Sequence, residues 1–169
     1  MLDAPRLQIN GPVEIDEFYV KAGLRARERD NQSRSRGLSK RGRGTIDEDK
    51  PPVLVLADRG SGERYVIPSK AATESTIRLL LADRQQESLR VYTDGFRAYE
   101  SLDEDDAVTR EYVVHGDGQY VDGDVHINTC ESYASLARRW LSLHRGISKD
   151  RLTPYLRAFQ LRREVFRKP

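Results

Sequence analysis

Asp94 ends a short apolar run in LRVYTDGFRAY (89–99), where Gly95 lets the backbone turn sharply and an amphipathic stretch follows. A carboxylate at the end of a buried strand stands where open α/β sheets place their chemistry, beyond the strand's carboxyl end. The same aspartate also suits a simple turn or helix cap. Asp16 lies in VEIDEFY (13–19), where apolar and acidic residues alternate and three acids fall within four positions. Acids are depleted in strands, so either this face is wet or something there wants a carboxylate. Glu131 stands in HINTCES (126–132), and Arg138 lies seven residues on, two turns along the same helical face. Asn128 with Glu131 three later also reads as a capping box. Two carboxylates side by side facing solvent repel unless a cation neutralises them. Hard oxygen ligands of this kind select Mg²⁺ or Mn²⁺.

The elements that must position these residues follow from periodicity. Val13 to Val20 reads as a first strand, and 21–50 as a basic loop insertion rich in Arg, Ser and Gly that buries too little apolar surface to order alone. PPVLVLA (51–57) is an uninterrupted apolar run, turned back by DRGSG into RYVIP (64–68), a hairpin. Ser69 or Thr73 caps a helix reaching about Gln86, with Ile77, Leu80 and Leu81 at core spacing. Leu89 to Thr93 then returns parallel to the first strand by a right-handed crossover. A short helix at Phe96 to Leu102, an acidic loop at Asp103 to Asp106, and a strand at Glu111 to His115 come next. A helix from Asn128 to about Leu143 carries Tyr133, Leu136, Ala137, Trp140 and Leu141 on one face. The last helix begins near Ser148, with Leu152, Tyr155, Leu156 and Phe159 inward and arginines outward. This order is that of the ribonuclease H-like fold, an α/β class with a mixed five-stranded sheet flanked by helices. Strands one and four are neighbours in it, which sends Asp16 and Asp94 into one crevice.

At 169 residues the chain fits one domain, 1–169, with a core large enough for one sheet and its helices. No apolar run approaches a bilayer span and MLDAPRLQING lacks a signal-peptide pattern, so a soluble cytoplasmic protein is expected. Its one cysteine, Cys130, excludes an internal disulfide framework and a Cys-x-x-Cys ribbon. His115, His126, Cys130 and His144 match no common zinc spacing, and GDGQYVDGD (116–124) lacks the twelve-residue calcium pattern. The net charge of +2 conceals segregation, with nine Lys/Arg against two acids in 21–43. Basic segments at both ends suit a polyanionic partner, and equally a plain solvated face.

VEIDEFY, GRGT (42–45), YTDGFRAY and HINTCES with its downstream arginine, in this order and spacing, resemble the ISXO-type (ISXO2-like) DDE insertion-sequence transposases, from about Val13 to Arg163. The resemblance implies that Asp16, Asp94 and Glu131 are the catalytic, metal-binding triad and that Arg138 is the downstream basic residue. Asn128, His115 and His126 match recurrent accessory positions. It further implies two-metal phosphoryl transfer, with two Mg²⁺ or Mn²⁺ ions, on double-stranded DNA at transposon ends and target. Phosphates would be gripped by Arg34, Arg36, Lys40, Arg41 and Arg43 of the basic loop and by Arg138, Arg139, Arg162 and Arg163 of the last helices. A homo-oligomer on DNA, nucleoid association and no membrane partner belong to the same reading. The departure is at the N-terminus, where relatives carry a zinc-ribbon or helix-turn-helix module and this chain starts its first strand within a dozen residues. A ribonuclease H-like structure-specific nuclease and an inactive basic DNA-binding remnant are the alternative functions.

Overall fold

The computed structural model describes residues 7, 9–23, 42–82, 88–113, 124–144 and 146–167. Five strands form one sheet: β1 Val13–Tyr19, β2 Pro52–Asp58, β3 Arg64–Pro68, β4 Leu89–Asp94 and β5 Val108–Val113. Their order is β3-β2-β1-β4-β5, with β1 at the centre. β1 pairs antiparallel with β2, β2 antiparallel with β3, and β1–β4 and β4–β5 pair parallel. The mixed topology and the hairpin expected from DRGSG are both present.

Every residue of β2 is buried, as its unbroken apolar run requires of a strand covered on both faces. Alternation along β1 divides the core. Val13 and Ile15 join Leu54, Leu56, Ile67, Leu89 and Val91 on one face, under Ile77, Leu80 and Tyr99. Phe18 joins Val53, Val55, Ala57 and Val66 on the other, under helices α2 Asn128–Ser142 and α3 Leu152–Arg167. In α2 the buried set is Cys130, Tyr133, Ala134, Ala137 and Leu141, which shares Tyr133, Ala137 and Leu141 with the predicted face, while Leu136 and Trp140 are only partly buried.

Four boundaries differ from expectation. α1 runs only Glu74–Leu80; Thr73, not Ser69, caps it by accepting from Thr76 N–H at 3.3 Å. The stretch after Asp94 is a 3₁₀ helix, Arg97–Glu104, whose tight turns bury Ala98, Tyr99, Ser101 and Leu102 and take in half of the expected acidic loop. β5 begins three residues earlier, at Val108, because Val108 and Val113 are its buried positions and Arg110 folds back to pair with Asp103 at 2.7 Å. A 3₁₀ turn, Lys149–Arg151, precedes α3. The calcium-like stretch 116–123 and most of the basic loop, 24–41, lie outside the described residues. No helix among the described residues is long and apolar enough to cross a membrane.

The β2–β3 turn is clamped. Asp58, buried, accepts from Asn10 N–H (2.8 Å), Gly60 N–H (2.9 Å) and Ser61 N–H (3.4 Å) and from the Ser61 hydroxyl (2.7 Å). Burial pushes its carboxyl up, but these four bonds outweigh burial and hold it below the usual carboxylate range. A β-carbon on Gly60 would stand 2.9 Å from Gly11 N and 3.0 Å from Asn10 O, both backbone atoms. Gly60→Ala is therefore expected to destabilise the fold by about 1–3 kcal/mol. Calorimetric melting checks this, and an unchanged melting temperature would refute the clamp.

Candidate active site

Parallel pairing of β1 with β4 aligns Val13 with Val91 and Glu14 with Tyr92. The same offset carried forward sets Asp16 alongside Asp94, just past the last paired residues. Both then project to the face of the sheet that α2 covers, since Asp16 shares the parity of Phe18 and Phe18 packs under α2. Asp94 Oδ1 accepts from Phe96 N–H at 2.9 Å, so the turn-forming role is real. That bond uses one oxygen and leaves Oδ2 directed toward Arg43 Nη2, 4.0 Å away. Glu131 sits exposed in the first turn of α2.

Asp16 senses the charges of the other two acids. Burial pushes the Asp16 carboxyl up to about 7; the charge of Glu17 adds to it, a backbone hydrogen bond at Glu17 opposes it, and Asp94 and Glu131 raise it further. No salt bridge to Asp16 occurs among the described residues. Also among them, no three of His, Cys, Asp or Glu are gathered closely enough to hold a metal ion between them. The donor set is all oxygen, mutually repulsive and partly desolvated. That chemistry suits a hard divalent cation better than a softer metal.

Arg43 Nε lies 3.4 Å from Glu17 Oε1, and its guanidinium stacks on the Phe96 ring at 3.8 Å, between Glu17 and Asp94. Glu17 is buried and also accepts from the Tyr99 hydroxyl at 2.7 Å. Burial raises the Glu17 carboxyl, and the Tyr99 bond counters it. Burial and the neighbouring Glu17 push the Tyr99 phenol well up, so it remains a proton donor. Sequence reasoning singled out neither Glu17 nor Tyr99; the only signal for Glu17 was the excess of acids in VEIDEFY.

A second missed group lies behind the crevice. Glu14 is wholly buried, yet it caps α2: Oε2 accepts from Thr129 N–H (2.8 Å) and Cys130 N–H (3.1 Å), and Oε1 from Thr129 Oγ1–H (2.9 Å). Arg59 Nε donates to Oε1 at 2.9 Å. The expected Asn128 capping box is absent. Ile127 is the N-cap residue with no side-chain cap bond, and Asn128 is already in the helix, because Glu14 takes the amides a local cap would serve. His126 joins the same group, its Nδ1 2.9 Å from Arg59 Nη2 and 3.5 Å from Glu14 Oε1.

Among the cationic residues, Arg138 stacks at 4.9 Å over Phe18 near the carboxyl end of β1. Arg139 and Arg163 are exposed, and Arg162 lies 6.0 Å from the Trp140 ring and 5.2 Å from that of Phe166. Arg34, Arg36, Lys40, Arg41 and His115 lie outside the described residues. The remaining zinc candidates are scattered: the buried Cys130 thiol donates to Glu14 O at 3.2 Å, while His144 packs between Trp140 and Tyr155.

Comparison with known proteins bears on the fold and the family. A chain of the cryoEM structure of the simian T-cell lymphotropic virus intasome in complex with PP2A regulatory subunit B56 gamma superposes with a TM-score of 0.50 at 15% identity, over 92% of this chain and 52% of that one. The likeness is one of fold, and the fold is ribonuclease H-like. An uncharacterized protein in transposable element ISH50 of Halobacterium salinarum is 84% identical over 168 residues, covering 99% of this chain and 57% of that protein. The chain thus spans little more than half the length of that relative. The family model of the ISXO2-like transposase domain matches residues 8–164, and the chain belongs to that family.

Proposed function

We propose that this chain is the catalytic domain of an insertion-sequence transposase, which cleaves DNA strands at transposon ends and transfers them to a target with the help of divalent cations. The observation that supports this is the placement of Asp16, Asp94 and Glu131: two adjacent parallel strands and the helix above them each contribute one acid, near enough for the charges of Asp94 and Glu131 to reach Asp16 though not drawn together into a closed metal site. These three would hold the metal. When bound, Mg²⁺ or Mn²⁺ supplies Lewis-acid activation of the attacking hydroxyl and stabilisation of the departing 3′ oxygen. The chain's own part is to hold the carboxylates, through the Asp94 turn and the β1–β4 ladder, and to meet the phosphates with cations. Arg43 and Arg138 flank the crevice at opposite sides of the β1 end, and Arg139, Arg162 and Arg163 present exposed charge along the helices. Such contacts position a strand without reading its bases.

Asp94→Asn is expected to lower Mg²⁺-dependent cleavage and joining of a labelled transposon-end duplex by at least roughly a hundredfold. DNA binding, read by fluorescence anisotropy, should persist. Undiminished activity would overturn the assignment, and cleavage without joined strands in the unmodified protein would favour a structure-specific nuclease.

The raised Asp16 carboxyl also fixes a sign. Its folded value of about 7 exceeds the ordinary 3.8, so between about pH 4 and pH 7 the folded state holds more protons than the unfolded one. Stability due to this group therefore falls as pH rises through that window, and the loss is complete above it. Asp16→Asn should be more stable than the parent at pH 8 by about 2–4 kcal/mol, the gap closing toward pH 4. Melting curves at the two pH values, without divalent cations, check this; a gap independent of pH would refute it. Added Mn²⁺ at pH 8 should raise the melting temperature of the parent and not that of the variant.

A further inference from the structure

Glu14 raises a question that stability alone does not answer. A wholly buried carboxylate in an ion pair is costly, and well-packed apolar side chains of similar volume are often as stable or more so. An ordinary Ser, Asp or Asn at the N-cap position would satisfy the first amides of α2 locally. Instead the cap comes from the central strand, 115 residues away from Thr129 in sequence, and Ile127 stands where the local cap would be.

Its contacts fall in a pattern. Glu14 lies two residues before Asp16 on β1, and Thr129, which gives it two hydrogen bonds, lies two residues before Glu131 on α2. Tyr92 lies two residues before Asp94 on β4, pairs with Glu14 in the ladder, and carries the Arg59 guanidinium on its ring at 4.1 Å. Arg59 closes the group: Nε to Glu14 Oε1 (2.9 Å), Nη1 to Asp124 O (2.7 Å) and Nη2 to His126 O (2.8 Å). Arg59 is held by its own N–H on Pro12 O at 2.8 Å, within the turn that Asp58 clamps.

We infer that Glu14, with Arg59 and Thr129, is a positioning bracket that sets the spacing of Asp16, Asp94 and Glu131 for divalent-cation binding. The bracket touches each of the three supporting elements one step behind its acid, so a shift of α2 along or around its axis must break bonds to Glu14 before Glu131 can move relative to β1. The inference rests on the reading of those three acids as the metal-binding set. Neither Glu14 nor Arg59 is a ligand in it; both act through the acids.

The test is Mn²⁺ titration by calorimetry on the full chain, with melting temperature and DNA anisotropy measured on each variant. Glu14→Gln, which presents an amide group to donors, is expected to weaken Mn²⁺ binding by about 10- to 100-fold. Thr129→Val, which keeps the backbone bond and deletes the hydroxyl, should weaken it several-fold, and Thr129→Ser should restore it. This series serves if Glu14→Gln does not fold. In the pair Glu14→Gln with Glu131→Gln, the combined loss should fall short of the product of the single losses, since one acts through the other. Losses that multiply, or unchanged Mn²⁺ affinity in Glu14→Gln and Thr129→Val while Glu131→Gln weakens it, would overturn the bracket and leave the three-acid reading standing. Unchanged affinity in both Asp94→Asn and Glu131→Gln would overturn that reading itself.

Discussion

A carboxylate cut off from water must be met by donors, and the way Glu14 is met constrains everything around it. Its side chain leaves the central strand toward α2 with no exposure, so the helix must bring its first amides down onto the sheet and the β2–β3 turn must bring Arg59 across. The remaining features follow. Gly60 and Gly11 approach within contact distance so that the turn carrying Arg59 can pack on the segment before β1. The Cys130 thiol, kept fully protonated by burial and by the adjacent Glu14, donates to the strand's own carbonyl and adds no charge of its own. Below this polar seam, α2 and α3 bury an ordinary apolar face, with Tyr133 and Phe159 rings 5.1 Å apart.

The opposite end of the same strand is arranged on other terms. Glu17, facing the α1 side, is served by a phenol that cannot lose its proton and by a partly exposed arginine stacked on Phe96. Arg43 stands between Glu17 and Asp94, and its charge offsets part of what raises the proton affinity of Glu17. An arginine suits this place because its planar guanidinium can stack and pair at once, which an ammonium cannot.

Much of this was legible in the sequence where one element carried the signal. The unbroken β2 run, the alternation of β1, the Thr-Asp-Gly turn and the apolar stripe of α2 each report a local period, and the crossover rule then makes β1 and β4 neighbours. Fold order and spacing left Glu131 between a helix cap and a third acid, and the ISXO2-like resemblance implied the second role. What stayed hidden depends on partners far apart in sequence. Asn128-x-x-Glu131 imitates a capping box, and nothing local reveals that Glu14 has taken those amides. Tyr99 read as one apolar residue of a short helix, whereas its hydroxyl serves a glutamate 82 residues away. The 3₁₀ form of Arg97–Glu104 was equally hidden, because apolar spacing over so short a stretch fits either helix type.

Glu14 and Asp16 are two acids on one face of one strand, and the chain provides for them differently. The first is fully buried and accepts from two amides, a hydroxyl and a guanidinium; the second is half-buried, has no salt bridge among the described residues, and feels the charges of Glu17, Asp94 and Glu131. A fold selected only for stability would treat them alike, either satisfying both or replacing both with apolar residues. Satisfying one and leaving the other with its proton affinity raised toward neutrality concentrates unmet negative potential at one end of β1. The bonds to Glu14 tie the supporting strands and helix together beside that deficit, and under the proposed reading it is the deficit that a bound cation would relieve.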